Sequence, residues 1–158
     1  FGKASVRYND FIKALLSDDV DYMNQYMNQV AMQTFSFFDT GKKMADQEEP
    51  ERFYHGFVLG LMVELADQYR ITSNRESGLG RYDIILEPLR KGKMAYVIEF
   101  KVHKAKREKD LSETADNALR QIVEKNYDAE LLSRGIPKSN IRHLGFAFYG
   151  KTVLIEQG

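Results

Sequence analysis

Two short segments carry charge inside apolar, strand-like runs: Arg81-Tyr82-Asp83-Ile84-Ile85-Leu86, then Val97-Ile98-Glu99-Phe100-Lys101. A buried carboxylate or ammonium is costly unless it is paired or bound to a metal. A fold that accepts this sequence must therefore bring the three charges together. Arg90-Lys91-Gly92 lies between the segments and has turn chemistry, so strands over 79–87 and 93–102 are predicted to form a hairpin. Strand side chains alternate faces. Glu99 and Lys101 then share one face, and Ile98, Phe100 and Val102 the other. With the turn centred near Lys91, paired positions sum to about 182, which sets Asp83 opposite Glu99.

Directly opposed carboxylates repel unless a cation sits between them. Lys101 supplies one positive charge, and a divalent ion would supply another. Magnesium suits the donor set, because it takes one or two carboxylates, keeps several waters and accepts phosphate oxygens; manganese is the expected substitute. In that reading Asp83 and Glu99 hold the metal. Lys101 positions or deprotonates the attacking water, or stabilises the transition state. The alternative is a buried Asp–Lys–Glu network that only satisfies itself.

The bulk composition narrows the classes. A length of 158 residues suits one domain with a sizeable core. There is no Cys, which excludes disulfides and thiolate metal sites and fits a cytoplasmic location. His55, His103 and His143 are far apart in sequence, so any metal is expected to be held by oxygen and not as zinc. The 23 basic and 23 acidic residues cancel, so attraction to nucleic acid must come from local patches. The most apolar stretch, 53–66, contains His55 and Glu64 and is too short to span a membrane. The chain opens on Phe1 directly into a helix-like pattern, and we expect one domain of a longer protein.

Along the chain, Asp10 is placed to cap a helix through Leu16. A second helix follows, with Val20, Met23, Met27, Val30 and Thr34 at helical spacing, ending near Phe38 and broken by Thr40-Gly41. An acidic connection over 46–51 leads into a third helix over about 51–68. That helix is apolar nearly all round, so it is expected to be buried, with Gly56 and Gly60 allowing close approach to a sheet. Strands are expected over 69–73, 79–87 and 93–102, with a two-glycine loop over 74–80. A helix over 111–126 carries Leu111, Ala115, Leu119 and Ile122 on one face. Strands over 141–149 and 152–156 close the chain around Gly150-Lys151. The expectation is one α/β domain, with N-terminal helices over 1–45 and the core over 50–156.

Gly80-Arg81-Tyr82-Asp83-Ile84, the Glu99-Phe100-Lys101 strand and the helix after it resemble the PD-(D/E)XK nuclease superfamily. The element order is similar to its restriction-endonuclease-like αβββαβ core, a central mixed sheet flanked by helices, here with extra N-terminal helices. Within it the chain resembles the group found behind an AAA-type ATPase domain in many bacterial proteins. The flanking segments Ser36-Phe37-Phe38-Asp39, Phe53-Tyr54-His55-Gly56-Phe57 and Ser73-Asn74-Arg75-Glu76-Ser77-Gly78 carry that likeness. The resemblance implies metal-dependent phosphodiester hydrolysis with Asp83, Glu99 and Lys101 as catalytic residues, DNA as substrate over RNA, and an ATPase domain as a partner on the same chain. It also implies that the Phe100 backbone carbonyl joins the metal shell and that a carboxylate of the first core helix completes it. Glu51 is best placed for that role and Glu64 second. His55, one turn beyond Glu51, would touch metal or phosphate. Gln121 stands where related members carry a Gln. The Tyr expected one turn later is replaced by Lys125, with Tyr127 two residues on. Tyr82 stands where many members carry Pro.

Each of these residues also has a plainer role: Glu51 complementing the helix dipole, His55 and Gln121 as hydrogen-bonded core residues, Tyr127 as helix-end packing. The basic run from Lys101 through Lys104, Lys106 and Arg107 to Lys109 would track a phosphate backbone beside the metal, or form a solvated loop. Arg75, Arg81 and Arg90-Lys91 are candidates for the same rim. The rival functional readings are a catalytically silent module that binds nucleic acid or regulates an attached ATPase domain, and an interaction domain with a structural triad.

Overall fold

A computed structural model describes residues 10–38, 48–76 and 81–158, without side-chain detail at 34–38, 48–51, 75, 76, 81 and 82. The helix α1 covers 10–16. It is followed by α2 (Val20–Phe38), α3 (Glu48–Met62) with a 3-10 turn at Val63–Leu65, and strands β1 (Tyr69–Glu76), β2 (Arg81–Pro88) and β3 (Ala95–Val102). Then come α4 (Leu111–Glu124), α5 (Asp128–Ser133), a second 3-10 turn at Lys138–Asn140, β4 (Ile141–Tyr149) and β5 (Thr152–Gln157). The expected break at Thr40-Gly41, residues 46 and 47 of the acidic connection and the glycines of the expected 74–80 loop lie outside the described residues. Residues 48–51, expected in that connection, open α3, and 74–76, expected in the loop, extend β1.

The five strands form one sheet in the order β1-β2-β3-β4-β5. Only β3 and β4 are parallel, and α4 carries the crossover that a parallel pair requires. This is the mixed α/β sheet with flanking helices expected of the restriction-endonuclease-like fold. Its two faces are covered differently. Ile84, Leu86, Tyr96, Ile98, Phe100, Phe146 and Phe148 form the larger core with α1, α2 and α3. Val97, Ile122, Leu131 and Ile141 form a smaller core under α4 and α5. Asp83, Glu99 and Lys101 alternate onto the α4 side.

Two expectations for α3 change. Tyr54, Val58, Leu61 and Met62 are buried, but Arg52, Gly56 and Gly60 are exposed, so α3 is a one-sided helix. A Cβ on Gly56 or Gly60 would meet nothing within 4 Å. The glycine that permits close approach is Gly145 on β4, where a Cβ would stand 2.6 Å from the Ala115 carbonyl of α4. Gly145 is also the β4 partner of Glu99, so it lets α4 settle over that carboxylate.

Helix α4 starts at a reciprocal cap. The Asp110 side chain accepts from the Glu113 N–H (2.9 Å), and the Glu113 carboxylate accepts from the Lys109 N–H (2.8 Å), which satisfies two otherwise free donors. It ends at Asn126, whose φ of +55° turns the chain left-handed; Asn tolerates this region better than most residues. The six-residue α5 after that turn is absent from the sequence expectation, because so short a helix shows no clear period.

Candidate active site

Asp83 on β2 and Glu99 on β3 are direct cross-strand partners, in the register expected from the turn. Both are deeply buried, at 2% and 1% exposure. Lys101 lies two residues beyond Glu99 on the same face, about 7 Å along the strand, and is half-buried. The Tyr127 hydroxyl donates to Asp83 Oδ2 at 2.7 Å. Asp83 Oδ1 is buried with no hydrogen bond among the described residues. Burial pushes the Asp83 carboxyl above the usual range; the Tyr127 hydroxyl, Asn74 and the Lys125 charge only partly offset it. A carboxyl in that position gains from a cation beside it.

Tyr127 reaches Asp83 because the left-handed Asn126 redirects the chain after α4. The Lys125 ammonium lies 5.7 Å from the centre of the Tyr127 ring, within cation–π range. Lys125 and Tyr127 thus bear on one carboxylate from a single turn, where the spacing in the sequence alone argued against Tyr127. Gln121 lies one turn before Lys125 and one turn after Asn117 on α4, half-buried.

His55 is placed elsewhere. Its Nε2 pairs with Ser73 Oγ at 2.8 Å, and its ring meets Phe100 edge-on at 5.7 Å. Ser73 is the partner of Ile84, so these contacts lie on the α3 face, across the sheet from the carboxylates. Glu64 is exposed in the 3-10 turn after α3. Glu51 lies in α3, but its side chain falls outside the described residues, as do those of Arg81 and Arg75. Among the described residues no group of three or more His, Cys, Asp or Glu gathers as a metal site. The donor set among the described residues is two carboxylates, with the Phe100 carbonyl on the strand between Glu99 and Lys101. That set matches an ion which takes few protein ligands and keeps its waters.

The basic run folds as a clamped loop. Lys104, Lys106 and Arg107 are exposed, but Glu108 turns inward at 7% exposure. Its carboxylate accepts from the Lys104 N–H (2.8 Å), the Thr114 hydroxyl (3.1 Å) and the Asn117 amide (2.7 Å). Burial alone would raise the Glu108 pKa; these bonds and the Lys101 charge hold it below the usual value. Arg90 and Lys91 do not join this rim. They line a cleft of about 550 Å³ with Lys93 and Arg134 at the far end of the β2–β3 hairpin, about 20 Å from Asp83 at strand spacing.

A family model described as the PD-(D/E)XK nuclease superfamily matches residues 49–158. No curated protein and no solved structure matches the chain.

Proposed function

We propose that this chain, which belongs to the PD-(D/E)XK nuclease superfamily, hydrolyses phosphodiester bonds in nucleic acid at the Asp83–Glu99 pair. The observation that carries the reading is the register: two buried carboxylates face each other across β2 and β3, and at Asp83 burial outweighs the bonds from Tyr127 and Asn74. A cation between the carboxylates would offset both their repulsion and their burial.

Asp83 and Glu99 would hold a divalent ion, Mg²⁺ or Mn²⁺, with the Phe100 carbonyl as a further donor. Such an ion, when bound, polarises a phosphoryl oxygen and lowers the pKa of a water beside it. Lys101, on the same face, offers its ammonium to the phosphate oxygens as negative charge develops. Tyr127 fixes the orientation of the Asp83 carboxylate, and Lys125 favours its charged form. Lys104, Lys106 and Arg107 offer a phosphate track beside Lys101. Gln121 shares the α4 face of Asn117 and Lys125 by its four-residue spacing from each, and its role in the site rests on the resemblance. Glu51 enters on the resemblance alone, and so do DNA as the preferred polymer and an ATPase domain on the same chain. Arg81 enters as a further cation of the rim and a cytoplasmic location on the absence of Cys, while His55 takes no part, since its contacts lie on the other face of the sheet. Among the described residues no helix is long and apolar enough to cross a membrane.

The test is cleavage of plasmid and of single-stranded circles with Mg²⁺, Mn²⁺ or EDTA, comparing wild type with Lys101→Ala. Metal-dependent cleavage that falls at least a hundredfold in a folded Lys101→Ala protein is the expected result. Cleavage that survives the substitution removes the mechanism.

A further inference from the structure

Tyr149 ends β4 with 56% of its surface exposed, beside the tip of the β4–β5 hairpin, where it pairs with Thr152. The parallel register pairs Glu99 with Gly145 and Lys101 with Ala147. Positions 145, 147 and 149 therefore share the face of Glu99 and Lys101. One strand spacing across and two residues along put the Tyr149 Cα about 8 Å from that of Lys101. Helix α4 covers this face at Gly145 and leaves Tyr149 open.

The ring is also braced. His103 meets it at 86° with centroids 5.4 Å apart. His103 is itself buried, with Nδ1 2.7 Å from the Thr114 hydroxyl, and Thr114 donates to Glu108. The same buried Glu108 holds the loop that carries Lys104, Lys106 and Arg107. An exposed aromatic ring is thus fixed against His103, the residue that leads into the loop of three exposed cations, and lies one strand away from Lys101. The hydrophobic core gains little from a residue so exposed, and a rigid ring loses little freedom when something stacks on it.

We propose that Tyr149 is a stacking platform for an unpaired nucleobase about two nucleotides from the phosphate addressed by Lys101, taking about 3.4 Å per stacked nucleotide. The inference rests on the phosphodiesterase reading above and sharpens its substrate class. In an intact duplex both faces of each base are covered by neighbouring bases. A side-chain platform therefore selects single strands, overhangs, junctions or an extruded base, whatever the base identity, while the loop cations take the adjoining phosphates.

The test is binding of a short fluorescent oligonucleotide, single-stranded or as a blunt duplex, read by anisotropy without divalent metal. Cleavage of each with Mn²⁺ is read beside it. Wild type is compared with Tyr149→Ala and Tyr149→Trp. The platform predicts that Tyr149→Ala loses about 5- to 150-fold in affinity for the single strand, the range for one base stacked on an aromatic side chain. Tyr149→Trp keeps it within a few-fold, and duplex binding is unchanged in both. Equal single-strand affinity in wild type and Tyr149→Ala overturns the platform, as does an equal loss on duplex and single strand. In either case continued Mn²⁺-dependent cleavage leaves the phosphodiesterase reading standing. A wild-type protein that neither binds nor cleaves overturns both.

Discussion

Burial holds the Asp83 carboxyl above the usual range, and the metal-free fold is weaker for it. The unfolded chain ionises this group at a pKa of about 3.9, the folded chain only at higher pH. Its contribution to stability is therefore fully present below the unfolded pKa and is lost as pH rises through the folded value. Asp83→Asn should melt at a higher temperature than wild type at pH 7 in EDTA, and the gap should close as the pH falls toward 4. Thermal melts across that range check it; equal curves at pH 7 would count against a strained carboxylate. The residues of the site differ in how readable they are. Asp83, Glu99 and Lys101 stand out because charge interrupts an apolar strand. Tyr127 does not, because its reach to Asp83 depends on the backbone angle at Asn126, which no spacing rule contains. Glu108 is hidden among lysines, since local charge counts cannot distinguish a solvated acid from one folded under a helix.

At the scale of elements, α2 covers the open edge of the sheet. Asn28 exchanges two hydrogen bonds with the Val153 backbone, at 2.8 and 2.7 Å. Asn24 does the same with Ile155, at 2.9 and 2.7 Å. Four helical residues rise about 6 Å and two strand residues about 6.7 Å, so the two periods match and the asparagines act as a substitute strand. The double change Asn24→Ala, Asn28→Ala removes four edge bonds and should cost on the order of 3 kcal/mol. It should also expose the edge of β5 to pairing between molecules. Denaturant titration and size-exclusion chromatography would show both effects; an unchanged midpoint would mean that water replaces the asparagines freely. The apolar stripe of α2 was legible from its spacing. The asparagines on its flank were not, because their meaning depends on which strand lies at the edge. The glycines of α3 show the reverse case, since a spacing that suggests close packing belongs to an exposed surface.

At the scale of the molecule, the sheet divides the chain into a supporting side and a working side. The larger core under α1–α3 holds the hairpin from one face, and α4 with its two turns builds the site on the other. Cationic side chains gather at both ends of the β2–β3 pair, but only one end lies beside Lys101. Replacing Lys104, Lys106 and Arg107 with Ala should weaken binding of a short oligonucleotide and lower the salt slope by about two to three. Replacing Arg90 and Lys91 should leave both unchanged; anisotropy at several salt concentrations distinguishes the two ends. The division was partly legible. Strand alternation put Asp83, Glu99 and Lys101 on one face, but not which helices cover that face, and so His55 looked closer to the site than it lies.

If the Asp83–Glu99 pair exists to hold a divalent ion, calorimetric titration of Mn²⁺ into wild type and Asp83→Asn should give a binding isotherm in wild type that weakens at least tenfold in the variant. Equal binding in both proteins, or no binding in wild type, would contradict it.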